Sequence, residues 1–423
     1  MSARGTSRNK GSSSPANALN RHFDIAERRT RLLVRHRLAV PGGTVEAVAG
    51  DLVGLHATDP ATVYLSLQQR VSGFTITDLD EALYERRSLT RLLGMRRTMF
   101  VVPLDLAAVI DAACTKSLIV PERRRTVQLL EAAGIEHGEA LVRDACAATL
   151  EVLGDGEPRP ARAITPIVTQ LQQQVLLAEG KPYQAQVSIT NRILLQLSIE
   201  GLIVRTRPLG SWLSSQYRWT PTDRWFSEPW PELPTGVARA ELIRRWLATY
   251  GPGTTTDIAW WTKWTKRQVL EVLDELGAVA VTVEPAAGAP PAPAWMLPGD
   301  VDGDVDAARP DEPVVSLLPS LDPAIMGWKE REWILEGLAS ELFDTNGNAG
   351  PMILVDGAVV GAWAQRSDGR VVTALIRPVG AAARRRVSAA ADALTEWFDG
   401  VRVTPRFPTP LQTRLATGSL SPA

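Results

Sequence analysis

The chain has 423 residues, of which 45% are hydrophobic, and a formal net charge of −1. This composition excludes a largely disordered protein, and the balanced charge excludes one that coats nucleic acid indiscriminately. Any contact with DNA must therefore come from local basic patches. With about 100–200 residues to a domain, we expect roughly two to four domains.

The cysteine and hydropathy patterns favour a cytoplasmic protein. Cys114 and Cys146 lie outside any Cys-x-x-Cys pair, which argues against a disulfide framework or a zinc knuckle. The sequence contains no run of about eighteen apolar residues, and no hydrophobic segment follows its basic start. We therefore expect neither a membrane span nor a signal peptide.

The N-terminal part predicts a disordered arm and then several helices that lead into a strand. Residues 1–20 are rich in Ser, Asn, Gly and Arg and form the predicted basic arm. Apolar spacing and capping residues predict helices from residue 24 and over 45–55, 60–73 and 78–86, and a strand over 95–102. Helices followed by a β-ribbon are typical of a winged helix, and we assign 21–105 as the first such unit.

The middle of the chain predicts a connector and a second unit of the same kind. Residues 106–153 predict a helical connector, and a Gly- and Pro-rich linker follows at 154–160. The second winged helix is assigned to 160–226. Its predicted elements are helices over 164–179 and 188–200 and a hairpin over 202–219.

The third winged helix, over 237–284, shows the plan most plainly. Thr254-Thr255-Thr256-Asp257 begins one helix, Thr265 begins the next, Gly277 ends it, and a strand over 278–283 follows. Residues 285–313, dense in Ala, Pro, Gly and Asp, predict a linker.

The C-terminal part, 314–405, predicts a β-rich domain, and 406–423 a tail. Asp356-Gly357 between two apolar runs is a strong hairpin signal, and a helix is predicted at 381–398. The fold class is therefore α+β: three tandem winged-helix units with a small C-terminal β-barrel or β-rich domain. Such units usually lie on DNA, and their repetition favours a scaffold that holds a duplex.

Four short motifs then point to a known family. They are Leu55-His56-Ala57-Thr58, Met95-Arg96-Arg97-Thr98-Met99-Phe100-Val101-Val102, Leu317-Leu318-Pro319-Ser320-Leu321-Asp322-Pro323 and Leu354-Val355-Asp356-Gly357. In this order and spacing, over about 30–405, the chain resembles the winged-helix DNA-binding proteins that include the AlkZ and YcaQ DNA glycosylases. The resemblance implies three winged helices in a C-shaped arrangement, a terminal β-barrel, and excision of alkylated purines, including bulky adducts and crosslinks in some members.

The resemblance also implies where an active site lies. In active members, a Gln-apolar-Gln or Gln-apolar-Asp triplet follows the second helix of the first unit, and here that position holds His56-Ala57-Thr58. Both polar positions depart from the family pattern. Phe100 is a second departure, since the strand there often carries a histidine.

A glycosylase of this type must flip out a nucleotide, hold a water against the sugar carbon and stabilise an oxocarbenium-like transition state. Neutral His56 can accept a hydrogen bond from that water, Thr58 can orient it, and the Asp59 carboxylate can face the developing positive charge. These three residues are the candidate catalytic set. The competing interpretation is structural, because Asp59 before Pro60 is also the pattern of a helix start.

Two groups of cations are candidate DNA contacts. Arg91, Arg96 and Arg97 flank the strand of the first unit. Lys263, Lys266 and Arg267 lie at the turn and start of the last helix of the third unit, interleaved with tryptophans.

The sequence offers few of the residue patterns that other enzyme classes require. The four histidines are scattered, which disfavours a Ser-His-Asp triad or a metal site, and no Gly-rich phosphate loop precedes a helix. We expect no metal and no cofactor, and a monomer acting on double-stranded DNA. Three functions stay open: a monofunctional glycosylase for alkylated purines, a non-catalytic DNA-binding protein that recognises damage or regulates transcription, and a scaffold whose winged helices bind protein.

Overall fold

The computed structural model describes residues 21–177, 180, 184–228, 230–303 and 310–420. The predicted disordered arm, 1–20, lies outside these residues. The protein has the predicted α+β class, with helices distributed between several small sheets.

The first region surrounds a three-stranded sheet. Its elements are β1 (His22–Phe23), α1 (Ile25–Arg35), α2 (Val45–Asp51), β2 (Leu55–His56), α3 (Pro60–Gln68), α4 (Ile76–Asp80), β3 (Leu89–Leu93) and β4 (Met99–Pro103). The strands run in the order β2-β4-β3, and His56 stands opposite Phe100 in the antiparallel register.

The predicted strand over 95–102 begins later than expected. A single 3₁₀ turn, Met95–Arg97, precedes β4, and both Arg96 and Arg97 have positive φ angles of 53° and 59°. The turn is closed by a hydrogen bond from the N–H of Gly94 to the carbonyl of Thr98, 2.8 Å. The two arginines therefore project from a tight turn and do not alternate across a strand.

Three helices then lead to the second region: α5 (Leu104–Ala113), α6 (Ile119–Ala132) and α7 (Gly138–Leu153). The second region contains β5 (Arg159–Pro160), α8 (Ala161–Ile164), β6 (Gln174–Leu177), β7 (Ala185–Ser188), α9 (Thr190–Ile199), β8 (Ile203–Pro208), β9 (Tyr217–Pro221) and α10 (Thr222–Trp225). The apolar core of the second region also includes side chains of α6 and α7.

The prediction of a helix over 164–179 is wrong. Its described part holds the end of α8, a 3₁₀ turn and the strand β6, which pairs with β7. Pro166 supplies the physical reason, since proline lacks a backbone donor and disfavours helix in the residue before it.

The third region contains α11 (Thr235–Tyr250), α12 (Thr255–Thr262), α13 (Lys266–Glu275), β10 (Val279–Val283) and β11 (Ala292–Met296). The helix predicted to begin at Thr254–Asp257 is present as α12, and Thr254 and Asp257 form a capping box at its start. The predicted linker at 285–313 contains β11, which pairs antiparallel with β10, while β1 pairs with the other side of β10. Because β11 contains Pro293, the sequence did not predict a strand here, although a proline is tolerated on an edge strand.

The C-terminal region contains β12 (Val315–Leu318), α14 (Pro323–Met326), α15 (Glu332–Leu335), α16 (Ala339–Leu342), β13 (Met352–Val355), β14 (Ala358–Gln365), β15 (Val371–Leu375), α17 (Ala381–Phe398) and α18 (Pro410–Ala416). The sequence predicted either a β-barrel or a β-rich domain. The strands β12 to β15 form an open four-stranded sheet in chain order. Asp356 and Gly357 have φ angles of 48° and 80°, as the two-residue hairpin turn requires. The predicted tail contains α18.

A buried ion pair joins the first and C-terminal regions. Arg70 and Asp322 are both fully buried and bonded through two contacts of 2.6 and 2.9 Å. Ser66 donates to the same carboxylate at 2.8 Å, and the Arg70 Nε donates to the carbonyl of His36 at 2.9 Å. The Leu317–Pro323 motif thus contributes an anchor for the first region, because Asp322 lies within it.

Candidate functional site

A cleft of about 610 Å³ opens between the first and second regions. The loop after β2 supplies one wall through Ala57, Thr58 and Pro60, with Met99 beside them. The N–H of Ala57 donates to the carbonyl of Met99 at 2.7 Å, which holds this loop against the start of β4. The predicted triplet therefore borders a cleft.

Two polar atoms of the triplet are buried without a bonding partner. Among the described residues, neither Nδ1 of His56 nor Oγ1 of Thr58 has a hydrogen-bond partner. Thr58 lines the cleft directly, whereas His56 is 5% exposed and packs against Phe100, with ring centroids 5.4 Å apart. Buried polar atoms are nearly always paired, so these two mark a place where a water or ligand atom can bind.

His56 is neutral at physiological pH. Burial lowers the pKa of its imidazole to about 3, and the positive charge of Arg96 adds to the lowering. A neutral imidazole keeps one nitrogen as a hydrogen-bond acceptor.

Asp59 occupies a different position from the other two. Its carboxylate caps α3 by accepting from the N–H of Ala61 at 3.1 Å, and its second oxygen accepts from the N–H of Arg406 at 3.3 Å. Burial raises the pKa of this carboxyl, and the two backbone donors act in the opposite direction. Asp59 lines a small cavity beside Trp363 and Gln412, so both structural and electrostatic roles are available to it.

The second region forms the opposite wall of the cleft. Asn191, Arg205, Tyr217 and Trp219 all line it. The Arg205 guanidinium lies 4.4 Å from the ring of Trp219, and burial lowers its pKa to about 10. Sequence reasoning missed this wall, although the alternation of Tyr217 and Trp219 along one strand was a usable signal for a shared aromatic face.

Arg406 also borders the cleft and was not expected there. Its Nη1 donates to the carbonyl of Thr58 at 3.1 Å, so the segment after α17 reaches back to the triplet. No local pattern in the sequence signals this contact, because 348 positions separate the two residues.

A second pocket, of about 420 Å³, contains cations from three regions: the first, the third and the C-terminal region. Arg96 of the first region meets Lys263 and Lys266 of the third, and Lys329 joins them. The Arg96 guanidinium stacks 3.9 Å from the ring of Trp260. Burial lowers the pKa of Arg96 to about 10, with the Arg331 charge adding to the effect. Three of the six predicted DNA contacts therefore lie in one basic pocket.

The other three predicted DNA contacts, Arg91, Arg97 and Arg267, do not line this pocket. Arg91 is 5% exposed and donates to the hydroxyl of Tyr84 at 2.7 Å. Arg97 pairs with Glu122, with one contact of 2.7 Å, and Arg267 is exposed and pairs with Glu271 at 2.8 Å.

Metal sites and membrane spans were also sought in the described residues. No group of three or more His, Cys, Asp or Glu side chains there is placed to hold a metal ion. None of the helices described is both long and apolar enough to cross a membrane.

Comparison with known proteins identifies the family. A sequence model of the AlkZ-like family, described as DNA glycosylase AlkZ-like, matches residues 49–397. The solved structure of Streptomyces sahachiroi DNA glycosylase AlkZ superposes with a TM-score of 0.66 at 18% identity, covering 89% of this chain and 97% of that chain. No curated protein matches the sequence.

At 18% identity the structural likeness establishes a shared fold. The family match extends from before the triplet to the end of α17, which is most of the chain, and it confirms the resemblance inferred from the four motifs. The chain belongs to the AlkZ-like family of DNA glycosylases.

Proposed function

We propose that the protein is a monofunctional DNA glycosylase that removes alkylated purines from duplex DNA by water attack after base flipping. The observation that carries this proposal is the pair of buried polar atoms without a partner among the described residues: Thr58 Oγ1 in the wall of the cleft, and Nδ1 of His56, two residues before it in the chain. The proposed site lies at the position where the family places its catalytic triplet.

The duplex would be held by three winged helices. We assign one to each of the first three regions, with α12, α13 and the β10–β11 ribbon as the clearest example. Arg96, Lys263 and Lys266 then contact phosphates beside the lesion, since their pocket combines positive charge with the aromatic faces of two tryptophans.

The everted nucleotide would enter the cleft beside Thr58. Its volume of about 610 Å³ falls within the range of about 300–1,000 Å³ that small-ligand sites occupy. Tyr217 and Trp219 offer ring faces for stacking on the base, and Asn191 offers an amide for its polar edge.

The chemistry requires little covalent machinery. An alkylated purine is cationic and leaves readily, so the C1′–N bond breaks with its electrons returning to the base, and water adds to C1′. Neutral His56 accepts a hydrogen bond from that water and Thr58 orients it. The proton released passes to solvent. The carboxylate of Asp59, next to Thr58, stabilises the positive charge that develops on the sugar.

The second candidate is a non-catalytic protein that binds damaged DNA. One observation favours it: the triplet lacks an amide or carboxylate at both polar positions, and His56 is packed behind the cleft against Phe100. In this case the same surfaces bind the duplex without cutting the glycosidic bond.

A base-release assay separates the two. Duplex DNA that carries 7-methylguanine is incubated with the protein, and free base and duplex binding are measured together. For the glycosylase, Thr58→Val and His56→Leu each slow base release by about 10²-fold or more with little change in binding. Arg143→Ala is the matched control, because that residue is exposed and lines neither the cleft nor the basic pocket. Tight binding without base release by the wild-type protein would favour the second candidate.

A further inference from the structure

A second groove, of about 420 Å³, lies in the C-terminal region between the β14–β15 turn and the first half of α17. Four arginines from these two elements line it: Arg366, Arg370, Arg384 and Arg385. Its floor is apolar, formed by side chains such as Val372 and Val387. None of these residues belongs to the catalytic cleft or to the basic pocket described above.

Within the described part of the chain none of the four arginines forms an ion pair, and Arg366 donates from Nε to the carbonyl of Leu415 at 3.4 Å. The adjacent Arg386, by contrast, pairs with Glu312. Asp368 and Asp392 also line the groove. Asp368 is engaged with the backbone N–H of Arg370, at 3.0 Å, and the groove keeps an excess of positive charge.

Unpaired guanidinium groups that converge on one groove favour an anion. A guanidinium offers a planar fork of donors that matches phosphate oxygens in a bidentate manner, and all four cations here are arginines. The open, elongated setting between a turn and a helix suits a backbone that passes through it.

A line of arginines connects this groove with the cleft. Arg406 borders the cleft beside Thr58, and Arg402 lies four residues earlier in the same non-helical segment, roughly 13 Å away if extended. A Cβ placed on Gly369 would lie 3.9 Å from Nη1 of Arg402. Gly369 belongs to the turn that carries Arg366 and Arg370, so the positive charge continues from the cleft to the groove.

We propose that this groove binds the sugar-phosphate backbone of the duplex on the side of the lesion reached through Arg402 and Arg406. The inference rests on the proposed function only in taking duplex DNA as the ligand. It predicts a footprint longer than the cleft and the basic pocket need. A short duplex centred on the lesion does not reach the groove, whereas a long one does.

The test compares Arg370→Ala/Arg384→Ala/Arg385→Ala with the wild-type protein on duplexes of about 10 and 30 base pairs that carry 7-methylguanine at the centre, over a range of salt concentrations. All three side chains are exposed, and thermal unfolding checks that the variant folds. With about 0.9 counterions released for each phosphate contact, the log–log salt slope on the long duplex falls by about 2–3, while binding to the short duplex stays unchanged. Arg386→Ala, on the same helix but outside the groove, leaves both slopes unchanged.

Two outcomes would overturn the proposal. One is an unchanged salt slope on the long duplex. The other is saturable binding of inorganic pyrophosphate that the triple variant abolishes while duplex binding persists, which would make the groove a site for a small free anion. Base release from a short damaged duplex is measured separately. Its absence in the wild-type protein refutes the proposed glycosylase activity and leaves the length-dependent binding to stand by itself.

Discussion

We expect the replacement His56→Gln to make the free energy of unfolding depend less steeply on pH below 6.5. The imidazole is buried and its pKa is lowered from 6.5 to about 3, mainly by burial and further by the charge of Arg96. Below pH 6.5 the unfolded chain takes up a proton that the folded protein refuses until about pH 3. Acid therefore favours unfolding, and stability rises with pH and is fully present above 6.5.

The magnitude follows from the pKa difference. Each pH unit in this window changes the free energy of unfolding by about 1.4 kcal/mol, so His56 accounts for a loss of about 2 kcal/mol between pH 6.5 and 5.0. That is a large part of a typical stability of about 5–15 kcal/mol. Glutamine is uncharged at every pH, so His56→Gln shifts stability by a constant amount and removes this slope.

Urea unfolding followed by tryptophan fluorescence at pH 7.5, 6.5, 5.5 and 5.0 measures the effect. Burial lowers the pKa of His36 as well, and the same acid-induced loss from that residue is present in both proteins, so the difference between them isolates His56. His137→Gln, at an exposed position, is the control and should follow the wild-type curve. Parallel curves for His56→Gln and wild type would refute the burial of a neutral imidazole at this position.

Three further predictions concern stability, chemistry and DNA binding. Asp322→Ala leaves the Arg70 charge buried and unpaired and lowers the free energy of chemical unfolding by about 3–5 kcal/mol, whereas Arg70→Met/Asp322→Leu costs much less; equal losses would contradict this account. Because the pKa of His56 is about 3, the single-turnover rate of base release should be flat from about pH 5.5 to 8.5, and a step near pH 6.5 would argue against it. Lys263→Ala/Lys266→Ala should lower the log–log salt slope of duplex binding by about 2 for damaged and undamaged DNA alike, and an unchanged slope would exclude both lysines as phosphate contacts.

Local signals in the sequence determined the parts of the fold that short-range physics decides. The helix start at Thr254–Asp257 and the Asp356-Gly357 turn occur where they were predicted, because a helix start and a two-residue hairpin turn depend mainly on neighbouring residues. Asp59 caps α3, as the structural interpretation of this residue predicted. Its role in stabilising positive charge on the sugar stays a proposal. The four motifs were sufficient to identify the family.

Tertiary structure decided which residues share a site. Arg96 meets Lys263 because α12 packs against the turn before β4, and Arg406 reaches Thr58 across 348 positions of the chain. The strand β11 forms in a proline-rich stretch only because β10 offers it an edge. Contacts of this kind depend on how whole elements pack, so no local pattern of the chain predicts that Tyr217 and Trp219 face the triplet across a cleft, or that the four arginines share a groove.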